Sequence, residues 1–498
     1  MHKLLLLIAL LTGLNFISFN ANAGVCEQEK DLKTLAVLNS GRIKPLIVAA
    51  NEFTKIVTGK KSINKLSSIF IFCTLSFESI NVTSGLDLPI RIDHVDVKKL
   101  LKLKEDESSI SAIKAREFKG MIRSDIMRIK ESTSYKKALN RLWFKIDTFD
   151  KASAGMLWTT FQDGKWIPLN EAFTNNDASI EELTLNSNQF RANNENTIGT
   201  ELTYTKLNIF SIAMILALIA IFVTVLVKNI TIGYILSWVV VLSEVTGMTF
   251  RVLISGRAPI TNMYETVLFS GFGALVIALI IYIFKKDKIF ILGGLGYNIL
   301  CLFMMKFADG MLTETISPLV PVLRDNFWLS THVTTIILSY AALALSWILA
   351  NIVLFKQRFS TIEKKDYRYY EDLVYTATKV GIILLAAGII LGGVWADYSW
   401  GRFWGWDPKE TWSLIVLLFY IAVLHGKNTS WITTHRFIVL CSLGFMTVMM
   451  AWFGVNYILA SGLHSYGFSE GGAIFLGTFF VSQIVFTSVT GYRKNDKS

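Results

Sequence analysis

The sequence is short of charged residues. Asp, Glu, Lys and Arg make up 17% of its 498 residues, whereas apolar residues make up 52%. A typical soluble protein carries about 25% charged residues, so this composition excludes an ordinary soluble protein. The apolar residues concentrate in long runs after about residue 207, and such runs are long enough to cross a membrane. We therefore expect a multi-pass membrane protein with a soluble N-terminal part.

Cysteine and histidine are also scarce. The four cysteines are Cys26, Cys73, Cys301 and Cys441, and no two of them have the Cys-x-x-Cys spacing. The chain is therefore neither a thiol reductant of that type nor a c-type cytochrome. Cys26 and Cys73 both precede the apolar runs and are candidates for a disulfide outside the membrane. Only six histidines occur, so each can be considered singly.

The first 206 residues divide into a leader and a domain. Residues 1–23 have the features of a secretory signal peptide: Lys3, an apolar stretch and a small-x-small cleavage site at Ala21-Asn22-Ala23. Residues 24–206 have no run of span length, and we interpret them as a small extracytoplasmic α+β domain. Residues 98–137 are expected to be mostly helical, residues 156–169 to form a hairpin with an Asp-Gly turn, and residues 186–200 to link to the membrane.

The apolar runs predict nine membrane spans, at residues 207–227, 230–254, 265–284, 289–305, 332–355, 376–396, 411–426, 437–460 and 471–490. With residue 206 outside, nine crossings leave residues 491–498 as a cytoplasmic tail. The loops then assigned to the inside hold 14 Lys and Arg residues against 5 outside, as the positive-inside rule requires. The sequence thus predicts an all-α helix bundle over residues 207–490, in a bacterial inner membrane.

The net charge of +11 has an explanation in this topology. Basic loops on the inner side meet the anionic lipids of the inner leaflet, which attract them. The charge therefore requires no nucleic-acid partner, and none is predicted.

A tryptophan-rich segment lies between the sixth and seventh predicted spans, on the outer side. Trp400, Trp404, Trp406 and Trp412 occur within thirteen residues. Tryptophan has a large flat apolar face and one polar atom, so several together favour a binding surface for a flat, mostly apolar ligand such as haem.

Two histidines are predicted at the same membrane face. His332 begins the fifth span and His464 follows the eighth. An imidazole nitrogen can bind haem iron from either side of the ring. Either histidine, taken alone, could instead hydrogen-bond the backbone at a helix end; their position beside the tryptophans favours the ligand interpretation.

The other histidines carry less information. His425 ends the seventh span near the inner face, where a histidine side chain often extends towards the polar membrane interface. An ionisable group in a span is, however, also a candidate for a functional role. His435, His94 and His2 receive no role.

Asp407-Pro408-Lys409-Glu410 has the pattern of a helix start, with Asp at the N-cap, Pro at N1 and Glu at N3. Capping alone accounts for both acidic residues. The same helix terminus, with Lys409 or with Arg402, could also hold a carboxylate such as a haem propionate.

Two further polar features precede this segment. In the second span, Glu244 and Arg251 are seven residues apart on one helical face, and we expect them to pair with neighbouring helices. Residues 257–265 are polar and external, and could line the same cavity.

The segment from Trp400 to Trp412 resembles the tryptophan-rich WWD signature of haem-handling cytochrome c assembly proteins. Its register with the flanking histidines is most similar to the CcsA (ResC) branch, part of the system II cytochrome c synthase, over roughly residues 207–490. The resemblance implies that haem b binds through His332 and His464 outside and through His425 within the membrane. It also implies that Trp400, Trp404, Trp406 and Asp407 contact the haem.

The same resemblance implies partners. Residues 38–46 are similar to the soluble domain that precedes the CcsA part in large fused synthases, but the CcsB (ResB) spans, which supply another transmembrane histidine, are missing here. A separate CcsB-like membrane protein is therefore expected, together with an exported apocytochrome c and thiol-reducing thioredoxin-like proteins. The expected activity is that of a cytochrome c haem lyase, with no catalytic side chain of its own.

Two other functions remain open. A haem exporter or chaperone, which delivers haem without attaching it, would have the same tryptophans and histidines. A structural subunit of a respiratory complex would have aromatic residues scattered at both membrane faces, whereas here they are confined to one loop.

Overall fold

The structure is a computed structural model that describes residues 26–491, apart from 84, 105, 132, 174–178, 194–196, 309–310, 320–324, 361–362 and 460–471. The predicted signal peptide at 1–23, His464 and nearly all of the predicted tail lie outside the described residues. The chain divides into two units, with the boundary between Leu202 and Thr203.

The first unit contains both helices and short strands. Four antiparallel strand pairs join Ala36–Asn39 to Arg42–Pro45, Ser62–Ile63 to Leu66–Ser67, Pro89–Arg91 to Ser109–Ser111, and Thr159–Gln162 to Lys165–Pro168. The helices are Glu29–Leu32, Leu46–Thr58, Ser68–Glu78, Val95–Leu100, Ala112–Glu117, Lys119–Arg128, Ser134–Ser153, Leu169–Ala172 and Ile180–Asn193. The predicted helical region at 98–137 is mostly helical, with the strand Ser109–Ser111 inserted in it.

The predicted hairpin is present and shows why the sequence folds there. Asp163 and Gly164 have φ values of +49° and +77°, the left-handed conformations that a two-residue turn of this kind needs. The hairpin follows Trp158, which is 1% exposed and stacks on Phe72 with ring centroids 6.0 Å apart. Phe72 belongs to the same helix as Cys73, and Cys73 forms a disulfide with Cys26, as expected.

The stretch predicted as a linker contains the end of one helix and the start of the next. Ile180–Asn193 ends within it, and the helix Thr197–Leu207 begins within it. Phe190 packs against Trp166 with ring centroids 5.0 Å apart, and Ile198 is buried in the same cluster. These apolar contacts stabilise helical structure in a segment whose composition is mostly polar.

The second unit is a helix bundle. Its described part has nine helices that are long and apolar enough to cross a membrane, which confirms the predicted number: Thr197–Val227, Ile230–Ser255, Met263–Lys285, Lys288–Phe307, Asn326–Phe359, Lys365–Trp400, Pro408–Asn428, Thr434–Tyr457 and Gly472–Thr490. The chain is therefore a mostly helical, multi-pass membrane protein.

Two buried polar residues of the second span, Glu244 and Arg251, form hydrogen bonds with neighbouring helices, as expected. Arg251 donates to Glu265 Oε1 from Nε and Nη2, at 2.9 and 2.7 Å. Glu244 Oε1 accepts a hydrogen bond of 2.8 Å from Asn298 Nδ2. Each pair joins the second span to a neighbour, the third or the fourth.

Candidate functional site

A cavity of ≈ 350 Å³ lies in the membrane unit, where five spans end. It is lined by the start of the third, fifth and seventh spans and by the end of the sixth and eighth. All five of these ends are ones that the predicted topology places outside. Its volume is within the range of about 300–1,000 Å³ of small-molecule sites. Seven aromatic side chains are among the residues that line it: Tyr340, Trp395, Trp400, Phe403, Trp404, Trp452 and Tyr457.

His332 is one of the lining residues, and its imidazole has a defined orientation. Its Nδ1 lies 2.9 Å from the backbone oxygen of Gly388. A carbonyl oxygen can only accept, so Nδ1 carries the hydrogen and the lone pair of the neutral ring resides on Nε2. This is the tautomer that binds a metal through Nε2.

Glycines on the sixth span let His332 come close. A Cβ atom at Gly392 would lie 2.6 Å from His332 Cε1, and one at Gly388 would lie 2.6 Å from Ile336 Cδ1. Gly388 and Gly392 are four residues apart and so lie on one helix face, the small-x-x-x-small arrangement that lets two membrane helices approach closely. The imidazole therefore lies directly against the sixth helix.

Two π-helical turns contribute to the cavity. One covers Leu329–Val333 and contains His332; the other covers Met450–Gly454 and contains Trp452. A π-helical turn shifts the register of the side chains that follow it, and such turns are frequent at functional sites. Both turns lie at span ends that line the cavity.

The tryptophan segment does not form a single flat surface. Trp400 and Trp404 line the cavity, but the rings of Trp404 and Trp406 are nearly perpendicular, at 85° with centroids 5.9 Å apart. Trp406 is 69% exposed, and its φ of +58° is unusual for a bulky residue. The rings of Trp404 and Trp406 are therefore packed edge to face, and only that of Trp404 lines the cavity.

The helix start predicted at Asp407 is confirmed. Asp407 Oδ1 accepts from the Glu410 backbone N–H at 2.9 Å, and Glu410 Oε2 accepts from the Asp407 N–H at 3.3 Å, which is a complete capping box. Glu410 also accepts from the Gly405 N–H at 2.6 Å and pairs with Arg402 at 3.3 Å. Glu410 thereby ties the tryptophan segment to the seventh span, and Arg402 already has an acidic partner.

Three of the predicted residues that the structure describes, His425, Trp406 and Asp407, do not line the cavity. His425 is exposed at the far end of the seventh span, with its ring 5.8 Å from that of Trp431. His464 lies outside the described residues.

The polar segment before the third span does line the cavity. Ile260, Thr261, Asn262 and Met263 are in its wall. Glu265 Oε2 accepts from the Thr261 N–H at 2.8 Å and from its hydroxyl at 2.7 Å, while Glu265 Oε1 is held by Arg251. The buried ion pair thus fixes this wall of the cavity.

Sequence reasoning missed four aromatic cavity residues, Tyr340, Trp395, Trp452 and Tyr457. Each lies inside an apolar run, where an aromatic residue looks like ordinary core. For Trp395 a signal existed, since it lies five residues before Trp400 at the end of the same span. The ring centroids of Trp395 and His332 are 5.7 Å apart.

Comparison with known proteins relates these elements to one family. The family described as "Cytochrome C assembly protein" matches residues 260–464, which include all the described residues that line the cavity. The protein named "Cytochrome c biogenesis protein CcsA" of Guillardia theta is 36% identical over 239 residues, covering 43% of this chain and 78% of that protein. The protein of the same name from Prochlorococcus marinus (strain MIT 9301) is 35% identical over 254 residues, covering 45% and 81%.

A larger relative shares the same region. "Protein NrfI" of Wolinella succinogenes is 34% identical over 244 residues, which are 47% of this chain but only 26% of that protein. With 78% of the Guillardia theta protein covered at 36% identity, the relationship extends over most of a CcsA protein. The chain therefore belongs to the CcsA-type cytochrome c assembly proteins, a family of multi-pass membrane proteins that act in cytochrome c biogenesis.

Proposed function

We propose that this protein receives haem in the cavity beside His332 and presents it for thioether attachment to the Cys-x-x-Cys-His segment of an exported apocytochrome c. The observation that carries the proposal is the hydrogen bond of His332 Nδ1 to the Gly388 carbonyl. It leaves Nε2 as the ligating nitrogen in a cavity with aromatic walls.

The cavity residues fit haem as the transported substrate. Flat apolar walls from Trp395, Trp400 and Trp404 suit a porphyrin, and buried indole N–H groups of Trp395 and Trp404 have no hydrogen-bond partner among the described residues. Buried donors are normally hydrogen-bonded, and a ligand with acceptor atoms would supply the partners that these two indoles call for. Trp406, which is exposed and packs against the lining residue Trp404, is proposed to contact haem or the apocytochrome as they meet.

His464 is proposed as the second axial ligand. Tyr457 lines the cavity, and His464 follows it by seven residues. Seven residues span at most about 25 Å, so His464 is within reach of the cavity along the chain. Asp407 is proposed to act through the capping box, which holds the tryptophan segment in place.

His425 is proposed to hold haem earlier on its way, within the membrane. It is exposed beside Trp431, which is 76% exposed. A histidine on an outer helix surface needs a second protein to complete an iron site, which supports a CcsB-like partner. Arrival of haem from the inner side would then precede its binding at His332.

The attachment needs no nucleophile from this chain. Each substrate thiol adds across a haem vinyl group: sulfur bonds to one carbon, the thiol hydrogen passes to the other, and no electron leaves. The protein contributes position and orientation, which can lower a barrier by about 7–11 kcal/mol in favourable cases. The thiols must arrive reduced, which is the reason to expect thioredoxin-like partners.

Two observations support the orientation with the cavity outside. The disulfide between Cys26 and Cys73 is typical of an exported domain. The charge difference between the two sets of loops follows the positive-inside rule independently.

The test is co-expression with an exported Cys-x-x-Cys-His reporter, with and without a CcsB-like partner, in cells that lack other maturation systems. Covalent haem on the reporter supports attachment. If the purified protein contains haem but the reporter never acquires covalent haem, the protein would instead be a haem carrier. The variants His332→Ala and His464→Ala should each alter the haem spectrum, and an unchanged spectrum in both would contradict the ligand assignment.

A further inference from the structure

Two fully buried polar side chains meet in the middle of the membrane unit. Glu244 lies near the centre of the second span, Ile230–Ser255, and Asn298 near the centre of the fourth, Lys288–Phe307. Both residues are 0% exposed. Asn298 Nδ2 donates to Glu244 Oε1 at 2.8 Å, so the amide and the carboxyl group are joined edge to edge through one hydrogen bond.

The other oxygen of each group has no partner. Among the described residues, neither Glu244 Oε2 nor Asn298 Oδ1 takes part in a hydrogen bond. An ionised carboxylate only accepts, as does the amide oxygen, so ionisation of Glu244 would leave two bare acceptors in an apolar interior. A buried acceptor without a hydrogen-bond donor is strongly disfavoured, and a buried carboxylate without a partner for its charge takes up a proton instead.

The surrounding groups do not stabilise a negative charge. Arg251, seven residues along the same helix, is engaged by Glu265 of the third span, and Tyr204 of the first span accepts from it. On the fourth span, Cys301 is buried about one turn from Asn298, and Tyr297 shares a hydrogen bond of 3.0 Å with Ser270 of the third span. Neither the thiol nor the phenol brings a positive charge to Glu244.

We propose that Glu244 is a proton-binding site within the membrane, a neutral carboxylic acid that donates from Oε2 to Asn298 Oδ1 while it accepts from Asn298 Nδ2. One bound proton satisfies both bare oxygens at once. No step of the haem chemistry proposed above uses this proton, so the site is a separate feature of the bundle. Intramembrane acids of this kind are the groups from which membrane proteins take up and release protons.

Infrared spectroscopy of the full chain in lipid vesicles tests the proposal. We expect the wild type at neutral pH to show the carbonyl stretch of a protonated carboxylic acid, shifted in D2O, and E244Q to lack that component. Gln can form both hydrogen bonds with Asn298, so E244Q should accumulate in the membrane at the wild-type level. Identical acid bands in the folded wild type and E244Q would overturn the proposal.

Glu265 provides a matched control, because it is buried to a similar degree but paired with Arg251. E265Q should leave the acid band unchanged. Because that variant breaks an ion pair and can fail to fold, carbodiimide labelling of the wild-type protein supplies a second comparison. The reagent attacks protonated carboxyl groups, so peptide mapping should find it on Glu244; modification of Glu265 with Glu244 unmodified would contradict the proposal.

Discussion

At the scale of single residues, the position of His332 depends on the absence of a side chain at Gly392. Gly392 has no side chain, and the imidazole occupies the space where one would be. His332 Nδ1 also donates a hydrogen bond to the backbone carbonyl of Gly388, one turn earlier on the same helix as Gly392. Any residue at position 388 could supply that carbonyl. The hydrogen bond therefore sets the tautomer, while the absent Cβ at Gly392 sets the distance.

Gly392→Ala should displace the His332 ring. The added Cβ would lie 2.6 Å from Cε1, closer than atoms in contact allow, so the imidazole or the helix must move. Overpacking of this kind costs about 1–3 kcal/mol. We expect a lower thermal unfolding temperature and a changed haem spectrum in protein purified with haem.

Gly296→Ala is the matched control, since nothing lies within 4 Å of a Cβ at Gly296, also within a membrane helix. It should unfold at or slightly above the wild-type temperature, because Ala favours a helix over Gly by up to about 1 kcal/mol. Equal spectra for both variants would show that Gly392 does not control the histidine.

A buried ion pair in the first unit gives a second prediction at this scale. Lys44, 1% exposed, lies 2.6 Å from Glu52. Lys44→Met alone should destabilise the unit by about 3 kcal/mol, because it leaves Glu52 without its partner, whereas Lys44→Met with Glu52→Leu should be nearly neutral. Pulse proteolysis of the full chain in urea measures both; equal losses in the single and double variants would contradict this account.

The same pair predicts a pH dependence. Burial lowers the pKa of Lys44 and raises the pKa of Glu52, and in each case it outweighs the attraction of the partner. Just above pH 4.5, the ordinary pKa of a glutamate, Glu52 keeps its proton in the folded protein but loses it in the unfolded chain. The free energy of unfolding therefore falls as the pH rises from 4.5 through the raised pKa of the folded state. Just below pH 10.5, the ordinary pKa of a lysine, Lys44 has lost its proton in the folded protein but keeps it in the unfolded chain. The free energy of unfolding therefore rises with pH between the lowered pKa of the folded state and 10.5. Relative to the double variant, the wild type should be least stable near neutral pH; a flat difference would refute this.

At the scale of elements, the start of the seventh span shows how one motif can serve two purposes. The capping box ends the tryptophan segment and begins the helix, so Asp407 is explained by local structure alone. Glu410 has a role beyond capping, because it also pairs with Arg402 and accepts a hydrogen bond from the Gly405 N–H. The cap therefore orders the residues that line the cavity.

Asp407→Ala and Asp407→Asn should separate capping from contact with haem. Ala removes the cap and should cost about 1 kcal/mol, whereas Asn caps as well as Asp and should cost little. Thermal unfolding and haem content, measured on the same preparations, should both be near wild type in Asp407→Asn. Normal stability with lost haem in that variant would show instead that the carboxylate itself contacts the ligand.

Much at this scale could be predicted from the sequence, since hydropathy alone identified nine spans. It placed the sixth at 376–396, whereas the helix runs over Lys365–Trp400, because charged turns outside the membrane continue a helix without any apolar signal. The cavity could be predicted less well. Trp452 reaches it through a π-helical turn, and no period in the sequence reveals such a turn.

At the scale of the whole molecule, the proposed function depends on which side of the membrane the cavity faces. Consecutive loops alternate between the two sides of the membrane, so every loop assignment changes together if the orientation is reversed. The tryptophan segment and the loop between the seventh and eighth spans must lie on opposite sides, because a single span, Pro408–Asn428, separates them. Each of these loops has one strongly exposed tryptophan, Trp406 at 69% and Trp431 at 76%.

Trp406→Cys and Trp431→Cys therefore form a matched pair for testing orientation with a membrane-impermeant maleimide. The native Cys301 and Cys441 are buried, so they should contribute little background. In intact spheroplasts we expect Trp406→Cys to be labelled and Trp431→Cys to be labelled only after the membrane is permeabilised. The reverse pattern would place His332 and its cavity on the cytoplasmic side, where an exported apocytochrome cannot reach it, and the attachment function would then fail with the topology on which it depends.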